Sequence, residues 1–370
     1  MKPKIKIGNF EAACLLLNML ASKIILDFPR TVAEDAGSAG WLMVFLVSVA
    51  VFCIFFLISR LYKRFEGNDI LDIGERALGE TGKAIVGLLV IVQFMVIIPI
   101  VLRQFSEDIK VISLTVTPIS GIILLFCIGM ITGAYLGIET LARIHALAVP
   151  VLAAAFVLIL AMSVRRFDLS KITPWLGLGP GVILKKGVNN LSIYSELIVL
   201  FLVMPFLHKQ SDYSGIGRYG IVLSGLFFVL SSISYLLIFQ YPMATEFFLP
   251  MYQLARSITI GRFLTRIEAG FILIWASSAF LYLSSGLYFV TRLFQKSFGL
   301  NARKPLIIPF AILIFTLSMV PENLYSTLQI EMSVYRKYAW MITLLLPLII
   351  LIIASIRAGG KKKKEGMEWS

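Results

Sequence analysis

The chain has 370 residues, a mean hydropathy of +0.89, 58% hydrophobic residues and only 15% charged ones. Soluble domains run near about 45–50% apolar and about 25% charged, which excludes a soluble enzyme, a disordered chain and a secreted disulfide scaffold. The net charge of +13 fits basic loops on the cytoplasmic side of a membrane. No loop combines dense basic residues with aromatics as single-strand binding needs, so no nucleic acid is expected.

A bilayer-spanning helix takes about 20 apolar residues. Apolar runs near 10–28, 41–60, 84–102, 118–137, 144–163, 188–207, 218–240, 267–291, 305–320 and 338–356 predict ten spanning helices. They form one all-α transmembrane domain over 1–370, with a basic tail at 358–370. The alternating pattern of a membrane barrel is absent. The opening MKPKIKIGNFEAACLLLNML lacks a small-residue cleavage site, so it reads as a retained first span. Cys14, Cys53 and Cys127 fall in apolar stretches and read as small core side chains. No spacing suggests a metal site, a cofactor, a nucleotide loop or a catalytic triad, so no enzyme is expected.

The first span reads LLLNMLASKIILDFPR, with Asn18, Ser22, Lys23 and Asp27 within ten positions. A lysine at a span centre costs roughly 2.5–3.5 kcal/mol on insertion scales. Either Lys23 faces a cavity or a buried partner, or it snorkels to the interface. Gln93 lies in the third span. In the fourth, Gly129, Gly133 and Gly137 are spaced by four, a pattern for close helix approach. Glu139 and Arg143, four apart, predict a local ion pair. The 164–187 loop carries Pro174, Trp175 and the turn-rich Gly177-Leu178-Gly179-Pro180-Gly181, and reads as a structured outer loop.

The sixth span reads VNNLSIYSELIVLFLVMPFLH. Asn189, Asn190, Ser192, Tyr194, Ser195 and Glu196 make its first half polar, and Pro205 closes its second. Such a stretch at membrane depth marks a broken helix lining a cavity; otherwise 189–192 sit in the outer headgroup zone. The 241–265 segment predicts a helix lying on the outer membrane surface. Trp275, Ser277 and Ser278 in span eight either line the same cavity or make packing hydrogen bonds. Arg266 and Glu268 are expected at the outer interface. His145 and His208 stand near helix ends with no ligand partners. Lys361–Lys364 anchor the tail inside or touch anionic lipid heads.

Placing the N-terminus inside leaves 20 Lys and Arg in inner segments, 13 in outer ones, and Lys23 in the membrane. That bias predicts that both termini are cytoplasmic. The two irregular spans open groups of five, over 8–163 and 186–357. Five is odd, so the second group runs inverted relative to the first. Paired interrupted helices at matching places in inverted repeats point to a midplane binding site.

Several stretches resemble one family: MLASKIILDFPR with AGSAGW, GIETLARIHALAVP, ITPWLGLGPG, SELIVLFLVMP, FLTRIEAGFILIW and YFVTRLFQKSFGL. In their order and spacing the chain resembles the B subunit of spore germinant receptors, the spore germination permease family. That family is similar to the amino acid–polyamine–organocation transporters, which implies a LeuT-like fold with helices 1 and 6 broken. The resemblance implies a nutrient-sensing subunit in the spore inner membrane, beside an A-type membrane subunit and a C-type lipoprotein. A small germinant, typically an amino acid, would bind between helices 1, 3, 6 and 8. The candidate ligand-binding residues are Asn18, Ser22, Lys23, Gln93, Ser192, Tyr194, Ser195, Glu196, Trp275 and Ser278. The transporter relatives place glycines in the helix-1 break, where this chain has Ala21-Ser22-Lys23-Ile24. Lys23 then either supplies positive charge itself or pairs with Glu196 and closes the pocket. A sensor works because its ligand binds one state more tightly than another. The alternatives are a proton-coupled amino acid transporter, with Lys23 or Glu196 titrating, and a structural subunit with a vestigial pocket.

Overall fold

The computed structural model describes residues 6–258 and 267–367. Lys2, Lys4, Arg262, Arg266 and the side chains of Glu268 and Lys361–Lys364 lie outside that description. Seven helical runs among the described residues are long and apolar enough to cross a bilayer: 28–65, 70–112, 119–136, 138–166, 180–206, 210–238 and 324–357. Helix α1 (Asn9–Ala21), α11 (Ile267–Ser297) and the shorter apolar run 304–318 supply the other three expected spans.

Span one is two half-helices, α1 and α2 (Phe28–Ala36), joined by a tight turn at Ser22–Ile25. Pro29 dictates the break. It has no N–H to return to the Ile25 carbonyl and its ring clashes there, whereas a first helical turn tolerates it. The span therefore runs to 36 rather than 28, and Arg30 lies inside it. Helix α3 (Gly40–Tyr62) is span two. Its Phe45, Leu46, Val49, Phe56 and Leu57 are exposed, as lipid-facing side chains are, and Cys53 shares that exposure instead of joining the core.

Helix α4 (Ile70–Ile112) has 43 residues, about twice what the hydrocarbon core needs. It kinks at Gly79, whose φ of +77° only glycine adopts freely. The Asp69 carboxylate caps its start, accepting from the Asp72 N–H at 3.0 Å. Burial pushes that carboxyl up, and Lys296 at 2.5 Å pulls it back. Helix α5 (Ile119–Leu136) packs on α11 through its glycines. A Cβ at Gly129 would sit 2.4 Å from the Phe280 ring, and one at Gly133 2.3 Å from the Ser284 hydroxyl. Gly137 instead makes a positive-φ turn into α6 (Ile138–Ser163). Glu139 and Arg143 pair there at 2.6 Å on the surface.

The 164–187 loop is docked, with Ser38 Oγ donating to the Pro174 carbonyl at 2.6 Å and Leu178 N to Ala36 O at 3.4 Å. Span six is α7 (Pro180–Asn190), a seven-residue tight helix at Leu191–Leu197, and α8 (Ile198–Val203). Such tight turns rarely exceed three or four residues, and a longer one marks strain or a hinge. Helix α9 (Tyr213–Ile238) is span seven. The expected surface helix is α10 (Pro250–Arg256), and its place differs from the expectation. Met251, Leu254 and Ala255 are fully buried, packed against α11, α9 and the first span, because its apolar side finds protein partners rather than lipid.

Helix α12 (Ile307–Ser318) is span nine. Span ten starts at 324, not 338, as α13 (Leu324–Ile330), α14 (Arg336–Trp340) and α15 (Leu346–Met367) joined by two widened π turns at 331–335 and 341–345. Arg336 and Lys337 are thus inside a helix, as Arg103 and Lys110 are inside α4.

Candidate functional site

The two breaks face each other. Lys23 and Glu196 are both buried, and Lys23 Nζ lies 2.6 Å from Glu196 Oε2. The ammonium also donates to Ser195 Oγ at 3.0 Å and stands 5.6 Å from the centre of the Tyr335 ring. Glu196 Oε2 accepts from Ser195 Oγ at 3.0 Å, and its Oε1 from the Tyr282 hydroxyl at 2.9 Å. A charge this deep is tolerable only when paired and hydrogen-bonded, and here both charges are. Lys23 does not snorkel.

Side chains also brace the backbone at the sixth-span break. Ser195 C=O accepts from Gln93 Nε2 at 3.1 Å and Thr343 Oγ1 at 2.8 Å. Gln93 Nε2 also reaches Thr343 Oγ1 at 2.9 Å. Ser192 Oγ accepts the backbone N–H of Trp340, between the two π turns, at 3.0 Å. Asn18 Oδ1 accepts from Ser278 Oγ at 2.7 Å, and Ser22 Oγ donates to Asn18 O at 2.8 Å. A cavity of about 60 Å³ lies beside Asn18, Ser22 and Ser278. It is partly open and walled mainly by apolar side chains such as Leu17, Val149 and Phe156.

The other candidates point elsewhere. Tyr194 turns to α3, donating to Ser48 Oγ at 2.8 Å against Phe228. Trp275 packs on Phe105 at 5.2 Å, and Ser277 is exposed. His145 is buried with Nε2 2.9 Å from Ser285 Oγ, a contact between α6 and α11. Tyr282, Tyr335 and Thr343 complete the site without having stood out in the sequence. An aromatic or hydroxyl side chain within an apolar run gives no signal of its own.

A second buried ionic cluster joins α2, α4 and span ten. Arg336 Nε donates to Glu331 Oε1 and its Nη1 to Thr31 Oγ1, each at 3.0 Å. Gln104 Nε2 donates to Glu331 Oε2 at 2.6 Å, and buried Asp27 lies within electrostatic reach of Glu331 and Arg336. Arg103 meanwhile pairs with Glu107 at 2.8 Å and donates to the carbonyls of Ser318 and Glu322. Both cations fall just outside the apolar runs 84–102 and 338–356 and so read from sequence as loop charges. They split the hydropathy of their spans because their partners, not solvent, compensate them.

Ten spans, two of them broken opposite each other, define a transporter-like, multi-pass membrane protein of the LeuT fold. Solved structures bear this out. The chain aligns with an inward-facing conformation of Mhp1 at TM-score 0.68 and 14% identity, over 94% of this chain and 76% of that one. It aligns with MhsT in complex with L-phenylalanine at TM-score 0.66 and 16% identity, over 93% and 97%. The chain belongs to the family described as spore germination protein, which matches residues 6–327. It is similar to spore germination protein A2 of Bacillus subtilis (strain 168), 24% identical over 95% of this chain and 96% of that protein. Spore germination protein KB of the same organism is 23% identical over 99% of both.

Proposed function

We propose that this chain is the nutrient-sensing B-type subunit of a spore germinant receptor. It binds a small zwitterionic germinant, an amino acid by preference, between spans 1, 3, 6 and 8, with span 10 closing the site. The carrying observation is the buried Lys23–Glu196 pair, whose two halves come from the two helix breaks. A zwitterion exchanges for that pair without changing the buried charge. Its carboxylate takes Lys23 and its ammonium takes Glu196, with Ser195, Gln93 and Tyr282 redirected to it. Asn18, Ser22 and Ser278 offer further polar contacts at the adjoining cavity, while Ser192 and Tyr194 hold the sixth-span break in place and Trp275 packs α11 on α4. Trading an internal pair for ligand pairs favours a different spacing of the half-helices, which is the differential affinity a sensor requires. The signal passes to an A-type membrane subunit and a C-type lipoprotein in the spore inner membrane. The excess of Lys and Arg in the inner segments supports cytoplasmic termini.

The test is a spore whose chain carries Lys23→Met with Glu196→Gln, a substitution that stays neutral inside. The expected spores hold wild-type amounts of the protein and do not respond to a germinant dose that saturates the wild type. A normal response at normal abundance would sink the assignment. Transport is the second reading, favoured by the likeness to Mhp1, a nucleobase-cation-symport-1 family transporter. It requires liposomes holding this chain alone to accumulate a radiolabelled amino acid.

A further inference from the structure

Away from the central site, α1, α6 and α9 leave a groove of about 750 Å³ between them. Its walls are apolar: Ala13 and Leu17 from α1, Val149 and Ala153 from α6, Leu223 and Phe227 from α9. Cys14, Leu17 and Val149 form an apolar cluster of their own, separate from the main core. Helix α1 packs closely on both α6 and α9, while α6 and α9 barely touch each other, which leaves the groove between them. Leu17, Val149, Ala153 and Phe227 also line the small cavity beside Asn18, Ser22 and Ser278, so the groove leads toward the helix-1 break.

In a chain that spans a bilayer, this surface lies at hydrocarbon depth. Water finds no hydrogen-bond partners on such walls, and an acyl chain fills them without cost. The mouth differs in chemistry from the walls. Asn9, Asp212, Arg218 and Tyr219 stand there, and Tyr219 is 71% exposed, as interfacial tyrosines are. The backbone pairing of Ile7 with Leu207 brings exposed Lys6 and Lys209 to the same end. The nearby acids are already engaged, Glu11 by the Gly8 N–H and Asp212 by the Asn9 amide. Both carboxylates keep their charge in those bonds, and Lys6, Lys209 and Arg218 against Glu11 and Asp212 leave the collar net positive by one.

We infer that this groove is a binding site for one anionic phospholipid, its tail between α1, α6 and α9 and its headgroup at Arg218. The tail lies along α1, the half-helix that carries one arm of the central site, so lipid occupancy opposes movement of α1 toward α6. The site stands whatever the germinant proves to be.

The test uses the purified full chain, stripped of lipid and titrated with phosphatidylglycerol or phosphatidylcholine under native mass spectrometry. Wild type should retain one phosphatidylglycerol at least fivefold better than phosphatidylcholine. Gly215→Phe fills the groove from α9, where an added Cβ meets nothing within 4 Å, and should lower retention at least fivefold. Leu223→Trp, from another turn of the same wall, should do likewise, which separates filling from misfolding at either position. Arg218→Gln should erase the preference for phosphatidylglycerol. Equal retention of the two lipids by wild type, or full retention by both groove-filling variants, overturns the inference. No retention by wild type overturns it too and leaves the groove to a protein helix.

Discussion

Removing Lys23 alone leaves the Glu196 carboxylate buried, with only Ser195 and Tyr282 donating to it. Breaking a buried pair by deleting one partner costs about 3–5 kcal/mol, because a charge stays behind uncompensated. Replacing both members by neutral groups of similar shape costs far less, and such swaps are often neutral. Lys23→Met and Glu196→Gln should therefore each lower stability by about 3–5 kcal/mol, and the double variant by about 0–2 kcal/mol. The implied coupling, at least about 4 kcal/mol, exceeds what neighbouring sites ordinarily show, as a fully desolvated pair should. Thermal melting of the four proteins in one detergent closes the cycle. If the double variant is as unstable as the two single losses added together, Lys23 and Glu196 do not act as a unit, and the exchange proposed for the germinant loses its basis.

Two further outcomes follow from the packing. Arg336→Lys should destabilise nearly as much as Arg336→Met, since the guanidinium spans Glu331 and Thr31 at once and an ammonium cannot match that fork; full stability of the lysine variant would mean that charge alone suffices. Gly133→Leu should cost about 1–3 kcal/mol by overpacking α5 against Ser284, whereas Gly181→Ala, in open space, should melt with the wild type. Equal melting of both glycine variants would refute the close approach of α5 and α11.

The sequence was most legible where a residue was too expensive to be accidental. Glu196 advertises itself because nothing else in its run is charged, Lys23 because it stands well inside its run, and Pro29 explains why the first break falls where it does. Arg336 was hidden by the same reasoning. A charge divides a hydropathy window, so the apolar run of span ten starts only after it, at 338, and Arg336 reads as a loop residue. Side-chain directions within the sixth span were out of reach for another reason. Helical spacing assumes 3.6 residues per turn, and Leu191–Leu197 winds at three. That change sends Ser192 to span ten, Ser195 and Glu196 to Lys23 and Tyr194 to α3, a distribution no single period generates. The fate of 241–265 depended on partners distant in sequence, which a local pattern does not contain.

One small contact has a mechanical meaning. Ile7 N–H donates to the Phe206 carbonyl at 2.7 Å, and His208 N–H to the Ile7 carbonyl at 3.0 Å. The start of α1 is thereby stitched to the stretch just past α8. With the ion pair at the breaks, the half-helices α1 and α8 are held at both ends, like a ladder with two rungs. They cannot splay apart independently, and a tilt of one drags the other. Whatever loosens the upper rung turns the lower one into a pivot, and the 207–212 connection beside it is where that motion leaves the membrane.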